Sequence, residues 1–399
     1  MGQNILAGAI QSPFARLRKL LEGIAPGSAA IDLSIGEPKH SQPDFLVAEL
    51  TKASAGYSKY PPINGTPELR AAIADWIGGR YGLSGKVDPE RHIIPLNGSR
   101  EGLFSVMFPA IDRRAKLDRP AVLMPNPFYQ AYIAAALAAG AEPVFLDAHE
   151  ATGFLPDLDA IAKRSDLLAR TVAFYLCSPA NPQGAVADAA YLLKAIALAR
   201  KHDFLLLCDE CYSEVYCDRP PIGALDIALN ETSSLANVLV FNSLSKRSSV
   251  PGLRSGFCAG DPAFLERFGQ FRNVAAPQVP LPVQAASAAL WREESHVEAS
   301  RALYRAKFDA AATFLGNRFG NVRPAGGFFL WLKMTQYGGG EAAAVTLWKD
   351  AGVKVVPGAY LTQGVGEGAD PGSAYVRIAL VQDLELTRQA LERVVRCFP

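Results

Sequence analysis

Four short runs in the chain are apolar at almost every position: Ala121–Met124, Thr171–Cys177, Phe204–Cys208 and Val238–Phe241. Runs of this length, with no polar alternation, are strands buried on both faces, as in a parallel sheet covered by helices. Helical patterns separate them, one closed by Gly140 and another spanning Asp188–Lys201 with Leu192, Leu193, Ile196 and Leu198 apolar. His92–Leu96 and Pro143–Asp147 read as further strands. Strand alternating with helix predicts an α/β fold with right-handed crossovers. Ligands bind outside the carboxyl ends of such strands. The residues that follow each run are therefore the candidates for function.

The stretch Val238–Arg254 is the richest of these. Ser243, Ser245 and Lys246 follow the apolar run, and Arg254 returns eight residues after the lysine, past a Pro251-Gly252 turn. Strand residues two apart share a face, so both hydroxyls are expected to face one anion. A planar guanidinium can grip the same phosphate bidentately. A lysine beside a phosphate clamp is what pyridoxal 5'-phosphate (PLP) chemistry requires, because its amine forms a Schiff base with the cofactor aldehyde. An ordinary solvated basic loop is the plainer account of this stretch alone.

The other strand ends carry matching groups. Gly98, Ser99 and Arg100 open a helix after a glycine turn, the arrangement that suits an anion. Tyr129 follows the strand at 121, where an aromatic face can stack on a flat ring or simply pack. Asn181 sits in a Pro/Gly-fixed turn and either aims its amide at a ring oxygen or forms an Asx turn. Asp209 closes a wholly apolar run and needs a positive partner, unless it caps a helix. A pyridinium nitrogen would be such a partner, with Tyr212 three residues on. Each is ambiguous singly; their shared placement at strand ends argues for one site.

The remainder of the chain reads as follows. Residues 11–22 suggest an amphipathic helix, and Ile31–Gly36 a strand that ends in a glycine turn. Tyr60 lies in a Pro/Gly-rich loop before a helix capped by Thr66 and ended by Gly82. After Gly260 the pattern changes to helices from Pro262 to Asn273 and Pro282 to Phe319, then strands at 328–333, 353–356 and 375–380, then a last helix to Phe398. Arg377 interrupts an apolar strand there, as a buried ion pair or as a clamp for a carboxylate.

A length of 399 residues favours two domains. Forty basic against 39 acidic residues argue against nucleic acid or an anionic membrane as a partner. The opening MGQNILAGAI lacks the features of a signal peptide, Leu6 spoils a myristoylation motif, and the run Ala131–Ala141 is too short to span a bilayer, so a cytoplasmic protein is expected. The six cysteines, including the Cys208-x-x-Cys211 pair, read as buried small side chains rather than as a metal site.

Together these landmarks resemble the fold-type I PLP enzymes of the class I/II aminotransferase branch, from about Ile31 to Leu380. The motifs are Ser243-x-Ser245-Lys246, Gly252-x-Arg254, Asn181-Pro-x-Gly184 and Asp209-x-x-Tyr212. The resemblance implies a mostly parallel seven-stranded α/β domain over residues 45–285. A smaller α+β domain would comprise residues 286–399, joined by an N-terminal segment over 1–44. It implies that Lys246 is the Schiff-base lysine and that Asp209 keeps the ring nitrogen protonated. Asn181 and Tyr212 would bond the ring hydroxyl, and Tyr129 would stack on the ring. Gly98, Ser99, Arg100, Ser243, Ser245 and Arg254 would hold the phosphate, with Tyr60 from the other subunit of a homodimer. Gly36, Asn181 and Arg377 would take the substrate carboxylate. Gln130 and Arg247 depart from the residues common in relatives, without removing a chemical group.

Finer resemblance lies in Pro13-Phe-x-x-Leu17, Leu33-Ser-Ile-Gly-Glu-Pro-Lys39-His, Leu96-Asn-Gly-Ser-Arg-Glu-Gly102 and Pro125-Asn-Pro-Phe-Tyr129. It points to the proteobacterial N-succinyldiaminopimelate aminotransferases. The implied reaction is amino exchange between N-succinyl-LL-2,6-diaminopimelate and 2-oxoglutarate, in lysine and diaminopimelate synthesis. Arg16, Arg18 and Lys19 are basic candidates for the distal arm, against a solvated helix face. An aspartate or broad-specificity aminotransferase (aromatic, methionine or kynurenine type) is the alternative. A PLP lyase or decarboxylase would share the cofactor set, and a DNA-binding regulator is disfavoured by the absence of basic bias.

Overall fold

The computed structural model describes residues 11–364 and 370–399. The opening MGQNILAGAI, read above for targeting signals, lies outside the described residues. The strands are β1 (Ile31–Asp32), β2 (Ile93–Leu96), β3 (Ala121–Asn126), β4 (Glu142–Asp147), β5 (Thr171–Cys177) and β6 (Leu205–Asp209). They continue as β7 (Val238–Ser243), β8 (Gly256–Gly260), β9 (Phe329–Lys333), β10 (Val353–Lys354), β11 (Val356–Pro357) and β12 (Tyr375–Ala379).

Seven strands form one sheet in the order β2-β8-β7-β6-β5-β3-β4. The neighbours from β7 to β4 pair in parallel, and β8 runs antiparallel to both β7 and β2. The apolar runs have the double burial that their composition demands. In β6, Leu206 and Cys208 face a core that contains Trp76 and Trp291. Leu205 and Leu207 face the other, with Tyr132 and Phe268. That is the period of two expected of a central strand.

A third core gathers Phe308, Leu330, Leu332, Val376, Ile378 and Leu391 around a three-stranded antiparallel sheet, β11-β12-β9. The N-terminal strand β1 pairs with β10, so the segment that leads to Gly36 is built into this C-terminal layer.

Three expectations are corrected. The predicted strand at 31–36 is regular only over Ile31–Asp32. The single helix expected to open at Gly98–Arg100 is two short ones, Ser99–Ser105 and Met107–Arg113. The helix expected over 282–319 breaks at Glu293-Glu294 into Leu281–Arg292 and Ser295–Leu315. The Glu293 carboxylate causes this break by accepting the backbone N–H groups of Ser295 at 2.7 Å and His296 at 3.1 Å. It thereby starts a new helix where the old one stops. Among the described residues no helix is long and apolar enough to cross a membrane.

The core on the Trp76 face of the large sheet and the C-terminal core are joined through Glu214. Its buried carboxylate accepts from Arg80 Nε at 2.7 Å on one side and from Arg301 Nη2 at 3.0 Å on the other. Removing the charge of Glu214 leaves Arg80 with only the carbonyls of Ser213 and Pro221, and Arg301 with Glu298 as its remaining carboxylate. Glu214→Gln is expected to cost about 3–5 kcal/mol of stability, read as a lower denaturant midpoint at unchanged slope.

Candidate active site

At the carboxyl ends of β3, β5, β6 and β7 lies a cavity of about 520 Å³. Its wall includes Ser99, Arg100, Tyr129, Asn181, Asp209, Tyr212, Ser243, Ser245, Lys246, Arg254, Gly36 and Arg377. Of the residues that the family resemblance assigns to the site, Gly98 and Tyr60 are not on that wall. Gly98 stands directly behind it, against Arg254. Tyr60 is 97% exposed on the outside of the protein.

The lysine stretch is built differently from its prediction. Ser243 ends β7, but Ser245 and Lys246 belong to a short helix, Leu244–Arg247, that Ser243 caps. The Ser243 hydroxyl accepts from the Ser245 N–H at 3.1 Å and lies 2.9 Å from the Ser245 hydroxyl. Capping geometry, and not strand alternation, brings the two hydroxyls together. Arg254 sits at φ +55°, the left-handed region that lets the chain double back after the Pro251–Leu253 turn. Its guanidinium donates to Pro251 O at 2.8 Å and Asn97 O at 3.2 Å. Arg247, the departure from relatives, is buried between Trp76 and Trp291 and donates to Leu290 O at 2.7 Å, so it anchors the turn from behind.

The Lys246 amine donates to Gly36 O at 2.6 Å. Burial lowers its pKa to about 8, with Arg377 and Arg100 pushing the same way and Cys211 and Glu37 opposing. Asp209 ends β6, and no helix begins there, which removes the capping explanation. Burial raises its pKa, against the Tyr132 hydroxyl, Cys211 and Lys246, which favour the carboxylate. Tyr132 donates to Asp209 Oδ2 at 2.6 Å and stacks on Tyr175 with ring centres 4.4 Å apart.

Arg377 is buried among Phe329, Tyr212 and the Ser34 carbonyl. It donates to Ser34 O at 2.7 Å and to Asn181 Oδ1 at 3.3 Å, and its Nε has no protein partner. Burial brings its pKa down to about 10. Arg100 donates to the Tyr129 hydroxyl. The basic candidates Arg16, Arg18 and Lys19 are absent from the cavity wall. Arg16 lies 3.9 Å over the Tyr360 ring and donates to Ala359 O, while Arg18 and Lys19 are exposed.

Sequence reasoning left Tyr132, Glu37, Cys177 and Cys211 unassigned, though all four line the cavity. Tyr132 was legible in principle: it follows Tyr129 by three residues at a helix start, a spacing that puts both on one face. Among the described residues no cluster of His, Cys, Asp and Glu could hold a metal ion.

This donor set fits a phosphorylated pyridine. A buried carboxylate suits a ring N–H⁺, two hydroxyls and a guanidinium suit a phosphate, and a low-pKa amine suits an aldehyde. The space behind the phosphate grip is also specific. A Cβ on Gly98, at φ +78°, would lie 2.2 Å from Arg254 Nη2. Gly98→Ala is therefore expected to displace Arg254 and weaken cofactor binding about 10- to 100-fold, the worth of a charge-assisted contact, measured by titrating PLP into the dialysed variant.

The comparisons with known proteins agree. The chain matches the family "Aminotransferase class I and II" over residues 28–394. An aminotransferase of Neisseria meningitidis superposes with TM-score 0.93 at 39% identity, covering 99% of this chain and 100% of that one. The 4-dedimethylamino-4-oxo-anhydrotetracycline transaminase OxyQ of Streptomyces rimosus is 34% identical over 91% of this chain and 92% of its own. An LL-diaminopimelate aminotransferase of Desulforudis audaxviator is 30% identical over 96% and 94%. The chain belongs to the class I and II aminotransferases, and it is a PLP-dependent enzyme that moves an amino group between an amino acid and a 2-oxo acid.

Proposed function

We propose that the residues of this cavity divide the work of transamination as their chemistry suggests. The observation that carries the reading is the meeting of an amine, a buried carboxylate and an under-bonded buried guanidinium on one wall. PLP, when bound, supplies the electron sink for charge that develops at the substrate α-carbon. Lys246 Nζ would carry the cofactor and then take and return the α-proton, a task that a pKa of about 8 suits near neutrality. Asp209 would hold the ring nitrogen protonated, with Tyr132 keeping that carboxylate ionised and oriented. Asn181 and Tyr212 would bond the ring hydroxyl, and Tyr129 would cover the ring face. Ser99, Ser243, Ser245 and Arg254, backed by Gly98 and Arg100, would hold the phosphate. Arg377, Gly36 and Asn181 would seat the substrate α-carboxylate. Exposed as it is, Tyr60 would reach the site of a second copy in a homodimer. We assign residues 45–285 to the large domain, and 1–44 with 286–399 to the small one.

For the amino donor we propose N-succinyl-LL-2,6-diaminopimelate, with 2-oxoglutarate as acceptor. The motifs at Pro13, Leu33, Leu96 and Pro125 support it. A second reading is free LL-diaminopimelate. It draws on the name of the Desulforudis relative and on Glu37, a carboxylate on the wall that could meet a distal ammonium.

Two measurements test these readings. In a donor panel, kcat/KM for the succinylated compound is expected to exceed that for aspartate by about tenfold or more. Preference for free LL-diaminopimelate would favour the second reading, and preference for aspartate would sink both. Separately, Tyr132→Phe removes a donor to the Asp209 carboxylate and so raises its pKa further. The acid limb of the kcat–pH profile should then move to higher pH. An unmoved limb would mean that Asp209 is not the group whose ionisation matters.

A further inference from the structure

The helix Ser295–Leu315 carries a lysine, Lys307, whose side chain is almost wholly buried. Its partners are a ring nitrogen, a carbonyl and an aromatic face rather than a carboxylate. Nζ lies 2.8 Å from His40 Nε2, donates to Leu380 O at 3.2 Å, and sits 5.0 Å from the Tyr304 ring centre. Asp383 acts on it electrostatically but makes no hydrogen bond or ion pair with it, and burying an ammonium without a paired carboxylate is costly, so the arrangement calls for a reason.

The positions of its partners supply one. His40 is four residues beyond Gly36, and Leu380 is three beyond Arg377. The segment before His40 provides Ser34 O, the acceptor of Arg377, and Gly36 O, the acceptor of Lys246. It is tied to the Arg377 strand again by Ala379 N–H to Leu33 O at 2.8 Å. His40 is held in turn by Ser300 Oγ, 3.0 Å from Nδ1, on the same helix as Lys307. With the lysine donating to Nε2, Nδ1 carries the ring proton and donates to the serine. On the other side Tyr304 stacks against Phe328, whose ring centre is 5.3 Å from Lys246 Nζ. One buried cation thus joins the downstream ends of the two elements that face the substrate carboxylate.

We propose that Lys307 and His40 form a cross-brace that fixes the spacing between Gly36 and Arg377, and so sets affinity for the substrate carboxylate. Both are positioning residues; neither lines the cavity. The inference rests on the proposed role of Arg377 as the carboxylate clamp.

The test compares Lys307→Met, His40→Leu and Arg377→Gln holoenzymes with wild type. Lys307→Met keeps the stem and removes the donor. It is expected to raise KM for amino donor and 2-oxo acid about tenfold with kcat nearly unchanged, as lost uniform binding does. His40→Leu should do the same, and the double variant should add little beyond either. A second readout is loss of cofactor absorbance on adding aminooxyacetate, which has a carboxylate, or methoxyamine, which has none. Lys307→Met should slow the first reaction alone. Slowing of both, or a fall in melting temperature with KM unchanged, would reduce the pair to a general structural role and overturn the proposal. Should Lys307→Met fail to fold, His40→Leu decides by the same criteria. If Arg377→Gln raises KM while the brace variants do not, the brace is wrong and the clamp stands. If Arg377→Gln leaves KM unchanged, the clamp falls and the brace falls with it.

Discussion

A carboxylate buried at the end of an apolar strand is the constraint around which the site is arranged. Asp209 accepts from Tyr132 at 2.6 Å and from the Cys211 N–H at 3.3 Å, and burial still pushes its pKa up. These donors and the more distant Lys246 amine do not offset the desolvation of a full charge, so a cation set directly against the carboxylate would complete the site. The ring N–H⁺ of PLP would meet that need, as proposed above. The stacked pair Tyr132–Tyr175, the second hydroxyl bonded to Leu103 O at 2.6 Å, holds the carboxylate rigidly in the core. Such preorganisation lets a buried charge act on its partner without rearranging.

The rest of the site is divided between two layers. The large sheet provides Asp209, Asn181 and the Ser243–Arg254 turn from adjacent strand ends. The C-terminal layer provides Arg377 from β12, and through the pairing of β1 with β10 it also carries the Gly36 segment. Lys246 touches both, since its turn follows β7 while its amine donates to Gly36 O. Glu214 between Arg80 and Arg301 ties the two layers together, while Lys307 between His40 and Leu380 braces the C-terminal layer internally.

Much of this was legible in the sequence because the physics was local. The apolar runs named the sheet, since a strand covered on both faces has no polar alternation to display. Turn residues after each run named the cavity wall, because ligands in such sheets meet strand ends. Thr66 and Gly82 bounded their helix as read, with Thr66 Oγ1 accepting from Leu69 N–H and Gly82 at φ +66°. Contacts set by tertiary approach were not legible. Glu293 breaks a helix whose apolar periodicity runs straight through it. Arg247 looked like a departure at the site and is a packed anchor between two tryptophans. Arg16, read either as a candidate for the distal arm or as part of a solvated helix face, lies over Tyr360. Lys307 and His40 are 267 residues apart, and no local pattern joins them.

The central claim is that the Lys246 amine is the group that holds the cofactor aldehyde. Borohydride reduction of the holoenzyme followed by peptide mass mapping tests it most directly. The account predicts a phosphopyridoxyl mass increment on the peptide that contains Lys246 and on no other. An increment on a different lysine, or a Lys246 peptide of unmodified mass beside a reduced cofactor, would contradict it.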